Sequence, residues 1–98
     1  MTFFVFPDDG RWNPDSSCVE FSVALGGYEG VVRVPREVMQ RLAGRSAAPE
    51  ACVEFYFIHR TRFERAAEAK LRRRELDDDG NVVLTLADLR ETRPASDT

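Results

Sequence analysis

The apolar positions between residues 18 and 34 alternate with polar ones, which is the pattern of β-strands that have one buried face. From Cys18 to Leu25 every second residue is large and apolar, and the alternation returns from Tyr28 to Val34. Gly26 and Gly27 separate the two runs, and glycine supplies the positive φ angles that a two-residue hairpin turn requires. The sequence therefore predicts an antiparallel hairpin.

Counting outward from the turn predicts the register of this hairpin. Glu20 falls opposite Arg33 on one face, an opposite-charge pair worth a few tenths of a kcal/mol. Val19, Phe21 and Val23 fall on the other face and are predicted to point into the core. A slip of one residue would turn this whole apolar set towards solvent.

Residues 49–73 show a different spacing, in which apolar positions recur every three or four residues as on one face of a helix. Pro49 suits the first turn because its missing N–H would have no partner there, and Glu50 complements the helix dipole. We predict one long amphipathic helix whose apolar stripe faces the sheet. The stripe consists of Cys52, Phe55, Tyr56, His59, Phe63, Ala66 and Ala67.

Three large apolar residues are candidates for a surface that contacts a partner. Phe57 points towards the polar side of the predicted helix and Ile58 towards its flank, so the apolar surface is wider than one sheet contact needs. Trp12 is the large apolar residue of the segment 8–17, which is predicted to be a loop. An apolar surplus of this kind is typical of an interface with a second chain.

Shorter signals complete the N-terminal half and the middle of the chain. Phe3 to Phe6 reads as a strand that Pro7 ends. A short helix is predicted to begin at Pro35 and to end at Gly44, and residues 46–48 connect it to the long helix.

The C-terminal part contains a turn at residues 77–81 and then the short apolar run Val82 to Leu84, a last strand. Thr85 and Asp88 approximate a capping box, so a short helix is predicted from Leu86 to about Glu91. Strands followed by helices indicate an α+β fold. We predict a small antiparallel sheet, made of three N-terminal strands and one late strand, packed against one long helix with two short helices. The domain would span residues 1–91, and residues 92–98 would form a flexible tail.

Composition limits the classes of function. A chain of 98 residues has room for one core. A net charge of −3 argues against attraction of the whole protein to nucleic acid or to an anionic membrane. The first six residues are apolar but too few for a signal or a membrane span. Cys18 and Cys52 lack a CxxC spacing and are expected to be buried thiols in a reducing cytoplasm.

Candidate catalytic and metal sites are weak. Cys52 and His59 are seven residues apart and would share a helix face, so a Cys-His pair is conceivable. A histidine buried in the core is the favoured interpretation, because the pair would lie among aromatic rings rather than in an accessible, electropositive cleft. One histidine and two separated cysteines do not make a standard zinc site. The acidic run 75–80 has Leu86 where a calcium loop needs a bidentate Glu. We expect no enzyme activity, metal or cofactor.

Half of the chain's 14 Lys and Arg residues lie between positions 60 and 74. Such a cluster could contact a polyanion, since phosphates are bound mainly by Arg and Lys. Acidic residues interrupt the run, and cations are expected near a helix C-terminus because of the dipole. A solvated helix end is the favoured interpretation. The candidate polyanion contacts are Arg65, Arg72, Arg73 and Arg74.

Several short motifs together resemble a bacterial family of uncharacterised small proteins, domain of unknown function 1488, also called Shew3726-like. They are the early aromatic strand, Trp12, Val19-Glu20-Phe21, Val31-Val32-Arg33-Val34-Pro35, Ala66-Ala67-Glu68-Ala69-Lys70 and Leu84-Thr85-Leu86-Ala87-Asp88-Leu89. The resemblance covers about residues 3–90. It implies a compact α+β domain and no assigned activity, and it brings no catalytic residues to this chain.

These observations favour a small cytoplasmic, non-enzymatic domain that contacts an unknown protein partner or a second copy of itself. The alternative is a nucleic-acid-associated accessory protein that uses the basic helix end, although binding of nucleic acid is not expected. An enzyme with a Cys52 and His59 site comes third. No membrane association is expected.

Overall fold

The computed structural model describes residues 4–44 and 48–91, with the backbone alone at residue 91. These residues form five strands and four helices. In chain order they are β1 (Phe4–Val5), β2 (Arg11–Asn13), β3 (Cys18–Leu25), β4 (Tyr28–Pro35), α1 (Arg36–Ala43), α2 (Pro49–Ile58), α3 (Arg60–Arg72), β5 (Val82–Val83) and α4 (Leu86–Glu91). The predicted α+β class is confirmed. The predicted tail, 92–98, lies outside the described residues, as do Phe3 and residues 46–47 of the predicted connection.

The hairpin of β3 and β4 has the predicted register. Leu25 pairs with Tyr28 at the turn, and Glu20 pairs with Arg33 near the far end. Gly26 has φ 60°, the left-handed value that the first central residue of a tight hairpin turn needs. The inward residues of β3 are almost fully buried, as predicted: Val19, Phe21 and Val23.

β2 lies in the segment that was predicted to be a loop. It pairs antiparallel with the first half of β3, while β1 pairs with the last two residues of the same strand. Between them the carboxylate of Asp9 accepts hydrogen bonds from the backbone N–H of Ser22, at 3.0 Å, and from its hydroxyl. The prediction missed β2 because three residues between two turn signals are too short to show alternation.

The late strand β5 pairs parallel to β4, with Val82 opposite Val32, so the prediction of a wholly antiparallel sheet is wrong. Between β4 and β5 the chain passes through three helices, and a crossover of this length can bring a strand back in the parallel direction. Lys70 of α3 donates a hydrogen bond to the carbonyl of Val83 at 2.6 Å. This contact occupies an acceptor on the outer edge of the sheet.

The predicted long helix is two helices that meet at His59, so that prediction is also wrong. His59 has φ −110° and ψ 29°, which lies outside the helical region. Two causes are visible, one local and one distant in the sequence. Residues 55–58 are aromatic or β-branched and have weak helix propensity, and Arg60 is held by the loop between β1 and β2.

The two short helices agree with the sequence signals. α1 ends at Gly44, which has φ 70°. At the start of α4, Asp88 accepts a hydrogen bond from the backbone N–H of Thr85 at 2.8 Å, and the Thr85 hydroxyl accepts one from the N–H of Asp88 at 3.2 Å. This reciprocal pair is the predicted capping box.

The core lies between the inward face of the hairpin and the helices. Its largest fully buried side chains are Tyr56 of α2, Phe21 of β3, Phe63 of α3 and Met39 of α1. All four helices contribute, since Leu89 of α4 belongs to the same cluster.

Candidate interaction surface

β2 and α2 approach so closely that there is no room for a side chain at Gly10. A Cβ atom there would lie 2.4 Å from Cε2 of Tyr56 and 3.2 Å from Cζ of Phe57. Gly10 immediately precedes β2, and Trp12, two residues later in that strand, also lies beside α2. Trp12 and Phe57, two of the predicted interface residues, therefore both lie along the contact between β2 and α2, which we call the β2–α2 seam.

The seam opens into an apolar groove of about 440 Å³. Trp12 lines one side and Val53 of α2 the other, with Pro49 at the beginning of the helix and Glu50 and Glu54 also lining it. We call this feature the α2–β2 groove. Its volume lies within the range of small-ligand pockets, about 300 to 1,000 Å³, and can hold one large side chain.

Two apolar side chains next to the groove are exposed. Phe57 is 42% exposed and Ile58 is 68% exposed. Successive residues of a helix are 100° apart, so the four apolar residues 55–58 surround α2, and the sheet can cover only part of them. The predicted apolar surplus is confirmed, while its use as an interface stays a prediction. The α2 surface below means Trp12, Val53, Phe57 and Ile58 together with Glu50 and Glu54.

Arg60 fixes the orientation of this surface. Its guanidinium donates hydrogen bonds to the carbonyl of Phe6 at 2.8 Å, to Asp8 at 2.9 Å and to Glu64 at 2.6 Å. The bonds to Phe6 and Asp8 join the first turn of α3 to the loop between β1 and β2. The junction of α2 and α3, where Ile58 is exposed, is therefore held to the sheet rather than left free.

Tyr56 forms the floor under the surface. Its ring is fully buried and stacks on Phe21 with the ring centroids 4.7 Å apart. Burial raises the pKa of the Tyr56 hydroxyl to about 12. Within the described part of the chain this hydroxyl has no hydrogen-bond partner. The ring is thus kept in place by packing alone.

The predicted burial of His59 is wrong. The ring is exposed and lies against Phe55, with the ring centroids 4.4 Å apart. The prediction assumed an unbroken helix, and the break at His59 itself removes the ring from the stripe. Cys52 is buried, and burial raises the pKa of its thiol. The two residues of the conceivable Cys-His pair therefore lie in different environments, and the raised pKa disfavours a thiolate at Cys52.

The four candidate polyanion contacts differ in whether they form an ion pair. Arg72 lies 3.8 Å from Glu68, and Arg73 lies 3.0 Å from a carboxylate as well. Arg65 and Arg74 are exposed, and neither has an ion pair with another described residue. Among the described residues, two of the four guanidinium groups thus have no carboxylate partner.

A buried carboxylate on the outer side of the sheet was not predicted. Glu20 is 5% exposed and accepts hydrogen bonds from Arg33 at 2.7 Å and from Asn13 at 2.9 Å. Burial by itself opposes ionisation, but these bonds outweigh it and hold the pKa of Glu20 below its ordinary value. The sequence predicted the pair with Arg33 but not its burial, because the covering strand β2 was taken for a loop.

In the acidic turn after α3, one carboxylate is bonded to backbone N–H groups of the same turn. Asp77 accepts hydrogen bonds from the backbone N–H groups of Asp79 and Asn81, each at 2.9 Å. Among the side chains of residues 4–44 and 48–90, no three His, Cys, Asp or Glu residues form a group that could hold a metal ion.

Comparison with known proteins places the chain in a family. A model described as a protein of unknown function, DUF1488, matches residues 5–84. The chain belongs to the DUF1488 family. The resemblance seen in the sequence motifs is confirmed. No curated protein matches this DUF1488 chain.

A solved DUF1488 structure has the same fold. It is a crystal structure of a protein of unknown function from Shewanella loihica PV-4, with a TM-score of 0.76 over 83% of this chain and 90% of that one. The two sequences are 18% identical, so the likeness concerns the fold alone. In the part of this DUF1488 chain that the structure describes, no helix is long and apolar enough to cross a membrane.

Proposed function

We propose that this DUF1488 chain is a non-enzymatic protein-interaction module whose α2 surface binds a partner protein. The observation that carries the proposal is the exposure of Phe57 and Ile58 beside the apolar α2–β2 groove. Interfaces are enriched in aromatic residues, and a few aromatic anchors supply most of the binding energy. Trp12 and Phe57 have this character.

The backbone that carries this surface is also fixed before any partner binds. Gly10 allows β2 to pack directly on Tyr56, and Arg60 ties the junction of α2 and α3 to the sheet. A surface whose backbone is already fixed loses little conformational entropy on binding. This supports a preformed docking site.

The cytoplasm is the proposed place of action. Cys18 and Cys52 are both free thiols and both buried. Unpaired cysteines of this kind are usual in a reducing compartment. A role in binding nucleic acid has weaker support, because Arg72 and Arg73 already pair with carboxylates of the chain.

Affinity capture from cells of the native host tests the proposal. Ile58→Ser removes an apolar side chain from the α2 surface without adding a charge, at a position that is 68% exposed, so the fold should tolerate it. Arg65→Ser is the matched control, since Arg65 is an exposed position on α3 outside the surface. After chemical cross-linking in the cells, which keeps a weak complex together, we expect one partner protein that is captured with the natural chain and with Arg65→Ser but reduced at least tenfold by Ile58→Ser. Loss of the partner with the substitution at Arg65, together with its retention by the substitution at Ile58, would instead place the binding surface on the basic side of α3.

A further inference from the structure

We infer that the α2–β2 groove takes a basic amphipathic segment of a different protein, with one large apolar residue in the groove and Lys or Arg beside it. The inference rests on the proposed function and specifies the chemistry of the partner. It follows from the charges next to the groove, from their arrangement on α2 and from the size of the groove.

The acidic side chains at the groove are Glu50 and Glu54. They are four residues apart on α2, which is a rise of about 6 Å along the helix. Both are exposed, and neither has an ion pair within the described residues. Glu50 lies in the first turn, where a carboxylate complements the helix dipole. Glu54 lies in the middle of the helix, where that reason does not apply.

Carboxylates beside an apolar groove select cations from a partner. Opposite charges across an interface accelerate encounter and exclude partners that bring like charges. A segment with Lys or Arg flanking its anchor residue would place ammonium or guanidinium groups near Glu50 and Glu54. An anionic membrane or an acidic segment would be repelled at the same place.

A second copy of this chain fits the surface poorly. Glu50, Glu54 and Ile58 follow one another at four-residue spacing along the exposed side of α2. If two copies packed these helices antiparallel about a two-fold axis, Glu54 would meet its own symmetry mate. Two carboxylates in contact are unfavourable. The arrangement therefore favours a partner of opposite charge over self-association.

The size of the groove indicates a short segment rather than a large surface. About 440 Å³ accommodates one Phe, Trp or Leu side chain with its neighbours lying outside. Small interfaces of this kind are typical of transient complexes. We expect a dissociation constant in the micromolar range, about 1 to 100 μM.

Selection from a display library of random 16-residue peptides on the full chain tests the inference. We expect enriched peptides to share an apolar anchor and an excess of Lys and Arg, and to bind at least fivefold more weakly to a Glu50→Gln, Glu54→Gln double variant. The double variant Glu50→Lys, Glu54→Lys should instead enrich acidic peptides. Arg65→Gln is the control and should leave the selection unchanged.

The outcomes separate the two proposals. Peptides that need Ile58 but show no charge preference, or that bind the Glu50→Gln, Glu54→Gln variant equally well, would overturn the basic partner and leave the proposed function intact. Failure to enrich any peptide that Ile58→Ser weakens would overturn the groove as a docking site for segments of any charge.

Discussion

Arg74 adopts a backbone conformation that L residues rarely occupy. It has φ 58° and follows the last turn of α3, where the N–H of Glu75 bonds to the carbonyl of Lys70 at 3.0 Å. This is the helix ending in which glycine usually occupies the left-handed position. We expect Arg74→Gly to raise the free energy of unfolding by about 1 kcal/mol, because glycine has no Cβ to strain there.

Chemical denaturation measures this effect. Arg65→Gly serves as the control, since it places glycine inside the same helix and should lower the free energy of unfolding by about 1 kcal/mol. Equal losses in both variants would show that position 74 is not strained.

Tyr56 is the second residue whose substitution has an unusual expected direction. Its hydroxyl is buried and lacks a hydrogen-bond partner among the described residues, and a buried unsatisfied group costs about 1 to 3 kcal/mol. We expect Tyr56→Phe to raise the free energy of unfolding by about 1 kcal/mol. Tyr28→Phe is the matched control and should lower it, because the Tyr28 hydroxyl donates to the carbonyl of Gly80 at 2.7 Å.

The same hydroxyl gives an alkaline signature. Burial raises the pKa of Tyr56 to about 12, above the ordinary tyrosine value of about 10. In that interval the unfolded chain loses the proton first, so stability should fall as pH rises from about 10 to about 12. Denaturation measured at several pH values across this range should show a weaker fall in the free energy of unfolding for Tyr56→Phe. An identical alkaline loss in both chains would contradict burial of the hydroxyl.

Residue identity predicts burial only when the backbone around the residue is known. Glu20 opposite Arg33 was predicted from alternation and a turn of two residues, both of which are local. The burial of Glu20 depends on Asn13 and its strand, which come from another part of the chain. His59 is the opposite case, a residue that was predicted to be buried and is exposed. Its position in the apolar stripe assumed a continuous helix, and the helix breaks at His59.

At the scale of elements, the contact between β2 and α2 depends on one missing side chain. A Cβ at Gly10 would meet the ring of Tyr56 at 2.4 Å, closer than carbon atoms can pack. We expect Gly10→Ala to lower the free energy of unfolding by about 2 kcal/mol, a typical cost of overpacking.

Gly27→Ala is the control for this substitution, because a Cβ at Gly27 would have no atom within 4 Å. Thermal unfolding of the two variants distinguishes steric conflict from a general effect of replacing glycine. If Gly10→Ala is as stable as Gly27→Ala, β2 does not lie against α2 as described.

α4 is fastened to α3 through Asp88. Burial by itself opposes ionisation of this carboxyl group, but hydrogen bonds from Lys70 and Thr85 hold the pKa of Asp88 below its ordinary value. Its contribution is therefore present above about pH 4 and is lost as pH falls towards the lower folded pKa. We expect Asp88→Asn to lower the free energy of unfolding by about 2 kcal/mol at neutral pH.

An acid titration of stability checks this expectation. As pH falls below about 4 the natural chain should lose the Asp88 contribution, whereas Asp88→Asn should show a weaker pH dependence. The control is Asp78→Asn, which removes an exposed carboxylate from the turn that follows α3. A steeper acid loss in Asp88→Asn than in the natural chain would contradict the ion pair.

Elements whose signals are local could be predicted, and those that depend on distant contacts could not. The hairpin, α1 and the capping box of α4 each follow from neighbours within about ten residues. The direction of β5 depends on how the chain crosses the helix layer. The end of α2 depends on Arg60 reaching the carbonyl of Phe6, more than 50 positions earlier in the sequence.

For the whole molecule, the α+β class could be predicted because the order of strands and helices is enough to set it. Membership of DUF1488 adds the fold and leaves activity open. Of the candidate surface, the exposure of Phe57 and Ile58 was predicted from helical phase. The groove was not, since it needs Trp12 brought against Val53 by an unpredicted strand.

The central claim is that the α2 surface is covered by another protein in the cell. Photo-crosslinking in living host cells measures this directly, with a photoreactive amino acid placed at position 57 or 58 and, as the control, at position 65 on α3. We expect one dominant adduct of fixed mass from positions 57 and 58 and no such adduct from position 65. Equal background labelling at all three positions would contradict the claim.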